Sequence, residues 1–377
     1  MNYLEIFSKK QRNNRKMKKT REQRKEEHLT LALSLGAGPK ETGFADVDFV
    51  HQALSILASD EIDTSTEFLG KRLTAPLLIE AITGGTQRGL EINKCFAQAA
   101  AKAGIAMAVG SQTVAIEDNT KIETFAVVRE FNPDGVILAN VGAGVSPAVA
   151  LQAVEMIRAD GLQLHLNTMQ ELVMEEGDRS FKEIKNNIAE IVKVSPVPVI
   201  LKEVGFGMSR ETVLELYSLG VKLVDVGGAG GTNFAVIENS RRAVLLSNDW
   251  HHWGIPTVAS ILEAQDAKVP IFLVASGGID NGIKAAKALA LGAGLAGAAT
   301  PFLRAIATGY DANGLSDYID TWIQELKMVM ILVNAVSLAQ LQQKPLVIRG
   351  RTREWLEARG INRNSNLESR TSKQKTP

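Results

Sequence analysis

The amino-acid sequence predicts an α/β protein, a (β/α)8 barrel of the TIM type with a basic N-terminal extension. Three observations carry this. Eight short apolar runs alternate with amphipathic helical patterns, the signature of parallel β/α units. Each run gives way at once to glycines or polar side chains, as barrel strands do at the rim that carries function. No G-x-G-x-x-G follows the first run, so a doubly wound open sheet is the weaker fit.

Taken in order, residues 1–20 form a basic, polar arm that is expected to be solvated and disordered. Met17 offers an alternative start within it. From Arg21 to Leu35 the pattern turns helical, with Arg24, Lys25 and His28 at helical spacings. The apolar runs then fall at 76–82, 105–109, 136–140, 162–166, 197–202, 221–226, 270–276 and 293–298. Helices are expected between them, among others at Asn93–Ala103, Pro147–Arg158, Phe181–Val192, Glu211–Leu219 and Ile283–Leu291. Two units are longer than the rest. The fourth carries a polar loop at 167–179, followed by a helix starting near Ser180. The sixth runs from Gly227 to Pro256, with a short helix at Val236–Leu246. One barrel is thus expected over 21–363, with a polar tail at 364–377.

Composition narrows the function classes. Lys and Arg total 42 and so do Asp and Glu, so no net field draws the chain to nucleic acid or to a membrane surface. The basic arm lacks the interleaved aromatics of a single-strand RNA binder. One cysteine, Cys95, rules out a disulfide within the chain and suits a reducing compartment; the expected location is cytoplasmic. No apolar run is long enough for a membrane span.

The residues just after each strand candidate converge on one rim of a barrel. They include Thr83, Ser111-Gln112, Asn140, His165, Asn167, Gln170, Glu171, Lys202, the run GGAGGT from Gly227 to Thr232, Gly277-Gly278 and Gly297-Ala298. Glycines at the ends of strands seven and eight let backbone N–H groups approach a phosphate closely, though a tight turn also explains such a pair. Lys202 closes an apolar strand. Either it reaches solvent at the rim, or it meets an anion, binds a carbonyl substrate covalently or faces a flavin. His165 is a satisfied core histidine or a ligand-facing one. Glu171 is a helix-end carboxylate or, beside Asn167 and Gln170, a Mg²⁺ ligand. Arg24 and Lys25 belong to the basic arm, or fold over the mouth and grip a diphosphate.

Together these residues resemble the type 2, flavin-dependent isopentenyl-diphosphate isomerases. The marks run in order along nearly the whole chain: RKEEH (24–28), DVDFVHQAL (46–54), ITGG (82–85), GSQ (110–112), ANVGA (139–143), HLNTMQE (165–171), EGDRSF (176–181), KEVGFGMS (202–209), DVGGAGGTNFAVIE (225–238), WGIPT (253–257) and SGGIDNG (276–282). The resemblance implies an FMN-binding barrel that interconverts isopentenyl and dimethylallyl diphosphate, with reduced FMN, Mg²⁺ on the diphosphate and NADPH as reductant. It implies substrate contacts from Arg24, Lys25, His165, Asn167 and Gln170, and Mg²⁺ on Glu171. FMN contacts would come from Ala81, Ile82, Thr83, Ser111, Asn140, Lys202, Thr232, Gly277, Gly278, Gly297 and Ala298. Proton transfer would run through the flavin, with Gln170, His165 and Glu238 as the catalytic side chains. A homotetramer or homo-octamer is implied, with no nucleic-acid or membrane partner. Two positions depart from the pattern: Ile82 stands where methionine is usual, and Gly227 where serine is common. The alternative is another FMN barrel, such as a 2-hydroxy-acid oxidase or an IMP dehydrogenase. The first needs a base histidine near strand seven, where SGGIDNG has none; the second needs a barrel cysteine nucleophile, and Cys95 sits in a helical pattern.

Overall fold

The computed structural model describes residues 21–35 and 37–362. The expected arm at 1–20 and tail at 364–377 lie outside the described residues. Eight parallel strands close into a barrel: β1 (Leu77–Ile79), β2 (Ala106–Ala108), β3 (Ile137–Gly142), β4 (Gly161–Leu166), β5 (Val199–Glu203), β6 (Leu223–Asp225), β7 (Phe272–Ser276) and β8 (Leu295–Ala298). Each falls on one of the eight predicted runs. Neighbours in the barrel are neighbours in sequence, and β8 closes on β1 with Gly297 opposite Leu78.

Strand period explains the core. Successive side chains point to opposite faces, so every second residue enters the barrel. The outward set, including Leu77, Ile79, Met107, Ile137 and Leu201, packs with the surrounding helices into one large apolar cluster. The inward set is apolar at its lower levels, where Leu78, Ala106, Leu138, Ile200, Val274 and Leu295 pack together. A β-hairpin of Thr66–Phe68 and Lys71–Leu73 plugs the bottom, with Phe68 stacked 5.1 Å from Phe272. Two residues on along the same faces, the inward positions turn polar: Glu80, Asn140, Lys202, Asp225 and Ser276. The barrel is therefore filled with hydrocarbon below and lined with charge at its upper rim.

The helices are α1 (Arg21–Leu35), α2 (Gln87–Ala103), α3 (Thr113–Glu117), α4 (Glu123–Phe131), α5 (Pro147–Met156), α6 (Thr168–Val173), α7 (Ile184–Val194), α8 (Arg210–Ser218), α9 (Phe234–Arg241), α10 (Thr257–Asp266), α11 (Gly282–Ala290), α12 (Thr300–Ala307) and α13 (Ala312–Leu332). Their starts are chemically marked. The Thr86 hydroxyl accepts from Gly89 N at α2, and the Asn281 side chain from Lys284 N at α11. Each such cap contributes about 1 kcal/mol.

Three expectations change. The short helix after β6 spans Phe234–Arg241 instead of Val236–Leu246. The polar loop after β4 contains the short helix α6, and the following helix begins at Ile184 rather than near Ser180. The cause is Arg179. Its guanidinium donates to the carbonyls of Glu171, Met174, Gly177 and Asp178, which ties this stretch back against the end of α6. A pairing that local pattern does not reveal joins the two ends of the fold: Val47–Phe49 runs antiparallel to Leu346–Ile348.

Candidate active site

The strand ends open into a cavity of about 810 Å³. Its floor is the polar layer of the barrel. Lys202 Nζ lies 2.5 Å from Asp225 Oδ2 and 3.2 Å from Glu80 Oε2, and it donates to Ser276 Oγ at 3.1 Å. Ser276 Oγ and Gly227 N in turn donate to Asp225 Oδ1, at 2.7 and 3.1 Å. Burial alone would pull the Lys202 ammonium down. Asp225 and Glu80 more than reverse this and hold it above its ordinary range. The expected anion for Lys202 is thus supplied by the protein itself.

The layer continues sideways as one hydrogen-bonded chain. Gln163 Nε2 donates to Glu80 Oε2 at 3.3 Å, Asn140 Nδ2 to Gln163 Oε1 at 2.9 Å, and Asn140 Oδ1 faces His165 Nδ1 at 2.9 Å. Burial, then Lys202 and Lys25, lower His165 to about 4, so its ring is neutral near pH 7.

On one side the wall is glycine. Gly277 and Gly278 have left-handed φ of 109° and 69°, which a side chain rarely adopts. A Cβ on Gly231 would stand 2.5 Å from Gly278 N. Helix α12 starts beside this cradle, with its Thr300 and Arg304 lining the cavity. Gly227 also needs its left-handed φ of 46°, and a Cβ there would run into the Glu203 carbonyl, so a serine would not fit this backbone.

Helix α1 lies over the mouth and sends Arg24, Lys25 and His28 into the cavity. Lys25 Nζ donates to Ser111 O at 2.7 Å. Burial and then Arg21 lower it to about 7. The segment after α1 is anchored where Gly38 N donates to Gly231 O at 3.2 Å.

Opposite, Gln170 on α6 donates from Nε2 to Glu238 Oε1 at 3.0 Å. Glu238 is fully buried on α9; His28 Nε2 stands 2.8 Å from the same oxygen, and Arg241 pairs with the other. Glu171 accepts from Asn167 Nδ2 and from Asp178 N, both at 2.8 Å. Among the described residues, no three of His, Cys, Asp and Glu gather into a metal cage.

The sequence-predicted residues fall into three groups. Arg24, Lys25, Ala81, Ile82, Ser111, Asn140, His165, Asn167, Gln170, Glu171, Lys202, Thr232, Gly277, Gly278, Gly297 and Ala298 all line this one cavity. Glu238 stands behind Gln170. Thr83 is buried next to this lining, and its hydroxyl has no partner. Gln112 turns inward, to Ala153 O and Asn140 N. Sequence reading overlooked Glu80, Gln163, Asp225, Thr300 and Arg304. The first three carried a signal: each is a polar residue at an inward position of an apolar strand.

Residues 138–348 match the family described as FMN-dependent dehydrogenase. The chain is 48 % identical over 340 residues to the isopentenyl-diphosphate delta-isomerase of Moorella thermoacetica, covering 90 % of this chain and 97 % of that one. It is 46 % identical over 343 residues to the enzyme of the same name from a Geobacillus species, covering 91 % and 97 %. The chain belongs to the isopentenyl-diphosphate delta-isomerase family. Two solved structures share its fold. A mandelate oxidase variant carrying a monooxide FMN adduct aligns with a TM-score of 0.60 at 16 % identity, over 86 % of this chain and 92 % of that one. A flavocytochrome b2 variant with sulfite bound aligns with a TM-score of 0.62 at 20 % identity, over 85 % and 82 %. This delta-isomerase family member thus shares its barrel with FMN oxidoreductases, and no helix among its described residues is long and apolar enough to cross a membrane.

Proposed function

We propose that this chain interconverts isopentenyl diphosphate and dimethylallyl diphosphate, with FMN in its reduced form and Mg²⁺ as cofactors. The observation that carries this reading is a single cavity with two chemically different ends. A glycine-lined slot floored by Lys202 lies at one end and a cationic rim from α1 at the other. The slot suits FMN: Gly231, Gly277 and Gly278, which pack against neighbouring loops too closely for a side chain, line it, and Arg304 and the start of α12 add positive charge for a phosphate.

Each residue then has a task. Arg24 and Lys25 grip the substrate diphosphate, and His165 and Asn167 orient it. Glu171 suits Mg²⁺, an ion content with one carboxylate, substrate phosphates and water. Lys202 would favour negative charge on the bound cofactor. Reduced FMN would supply the acid–base chemistry for moving the double bond. Gln170, held by Glu238, carries a proton between that buried carboxylate and the cavity. Helix α1 and Met174 exclude water, which a cation-like state requires. NADPH as the reductant and a homotetrameric or homo-octameric assembly complete the reading.

The test is anaerobic turnover in D₂O. Purified protein with FMN, Mg²⁺ and dithionite receives isopentenyl diphosphate, and deuterated dimethylallyl diphosphate is sought. It is expected only when the flavin is reduced. Flavin bound and reducible with no allylic product would instead favour an oxidoreductase of the same fold.

A further inference from the structure

Glu80 is a carboxylate that the isomerase reading leaves without a task. It is 2 % exposed and lines the cavity. Its Oε2 is used three times: Lys202 stands 3.2 Å away, Gln163 Nε2 donates at 3.3 Å and Ala81 N at 3.2 Å. Its Oε1 is buried and has no partner. The neighbouring strand β8 leaves room for it because residue 297 is glycine; a Cβ there would stand 2.5 Å from Oε1.

Charge counting shows what this geometry means. Asp225 accepts at both oxygens, from Lys202, Ser276 and Gly227 N–H. Lys202 and Asp225 therefore cancel, and the floor is neutral when Glu80 is an acid and singly negative when it is a carboxylate. A negative floor under an anionic ring is costly in a dry interior. A proton placed on Oε1 breaks no existing hydrogen bond.

Resting on the reading that FMN fills the slot, we propose that Glu80 is a proton-carrying group of the cofactor site: neutral acid beneath a negatively charged ring, and carboxylate beneath a neutral one in alkaline solution. The groups facing it are Lys202 on β5, Asp225 on β6 and Gln163 on β4; His165, further along β4, connects only through Asn140 and Gln163. Burial and Asp225 both push Glu80 above the ordinary carboxylate range, and Lys202 only partly offsets them. Two electrons and one proton make the ring anionic. On the alkaline side a second proton from solvent then enters Glu80, converting carboxylate to acid, with dithionite as the electron source in the test.

The experiment is a potentiometric titration of the FMN-loaded protein at a series of pH values, without substrate. The wild type is expected to show a segment above neutral pH with two protons taken up per electron pair. Glu80→Gln is expected to take up one proton fewer per electron pair than the wild type over that range, since Lys25 and Glu203, which line the same cavity, contribute equally to both proteins. Equal slopes would overturn the proposal. A second measurement needs no variant. The reduced-minus-oxidised infrared difference spectrum of the wild type at alkaline pH should gain a protonated-carboxyl band that shifts in D₂O; its absence would also overturn the proposal. A protein that isomerises its substrate yet takes up one proton per electron pair would lose this inference alone. Failure to bind flavin would remove it together with the reading of the slot.

Discussion

Asn140 Oδ1 stands 2.9 Å from His165 Nδ1, and the orientation of that amide is set by residues beyond it. Asn140 Nδ2 donates to Gln163, and Gln163 Nε2 donates to Glu80. Asn140 therefore offers His165 only an acceptor, so Nδ1 carries the proton of the neutral ring and Nε2 keeps its lone pair.

A pH effect on stability follows. The His165 pKa is lowered to about 4 from an ordinary 6.5, so between these values the unfolded chain binds more protons than the folded one. Stability is therefore lost as pH falls from 6.5 towards 4. The expected loss is about 1–3 kcal/mol, allowing for the ring's partial access to the cavity. Urea midpoints at pH 7 and pH 5 should fall less in His165→Gln than in the wild type.

Lys202 stands between Asp225 and Glu80 in a dry place. Lys202→Met leaves Asp225 uncompensated, and Glu80 too where it is ionised, a change that costs about 3–5 kcal/mol. Protonation relieves it, so the melting-point deficit should be larger at pH 8 than at pH 5. Flavin occupancy is expected to drop as well. Equal deficits at both pH values would mean that the carboxylates are not what Lys202 balances.

Lys25 is half charged near pH 7 because burial and Arg21 oppose its ammonium. A diphosphate favours the charged form, so binding takes up a proton above that pH. The KM for isopentenyl diphosphate should rise as pH goes from 7 to 9. In Lys25→Met it should start higher and stay flatter over the same range.

Glu238 is gripped by Gln170, His28 and Arg241. Glu238→Gln should lower kcat by about 10²–10⁴-fold, the range of a lost proton-transfer group. Arg241 keeps Glu27 and Glu176 as partners, so folding and the flavin spectrum should survive. Full turnover in this variant would exclude Glu238 from the reaction.

The sequence by itself determined the barrel. Eight apolar runs with helices between them leave few other ways to bury their faces, and all eight became strands. It also determined most of the cavity lining, because a barrel brings every strand end to one rim. Two kinds of feature were decided only by tertiary structure. The first is direction: Gln112 sits at a strand end like its neighbours, yet its side chain turns away from the cavity to Ala153 O and Asn140 N. The second is partnership. Glu80, Lys202 and Asp225 are 122 and 23 positions apart along the chain and meet only when β1, β5 and β6 close around one axis. For α1 the residues left two readings open, part of the basic arm or a cover over the mouth, and the folded chain selects the second. Periodicity reports which face of an element is buried, and it carries no information about what stands across from that face.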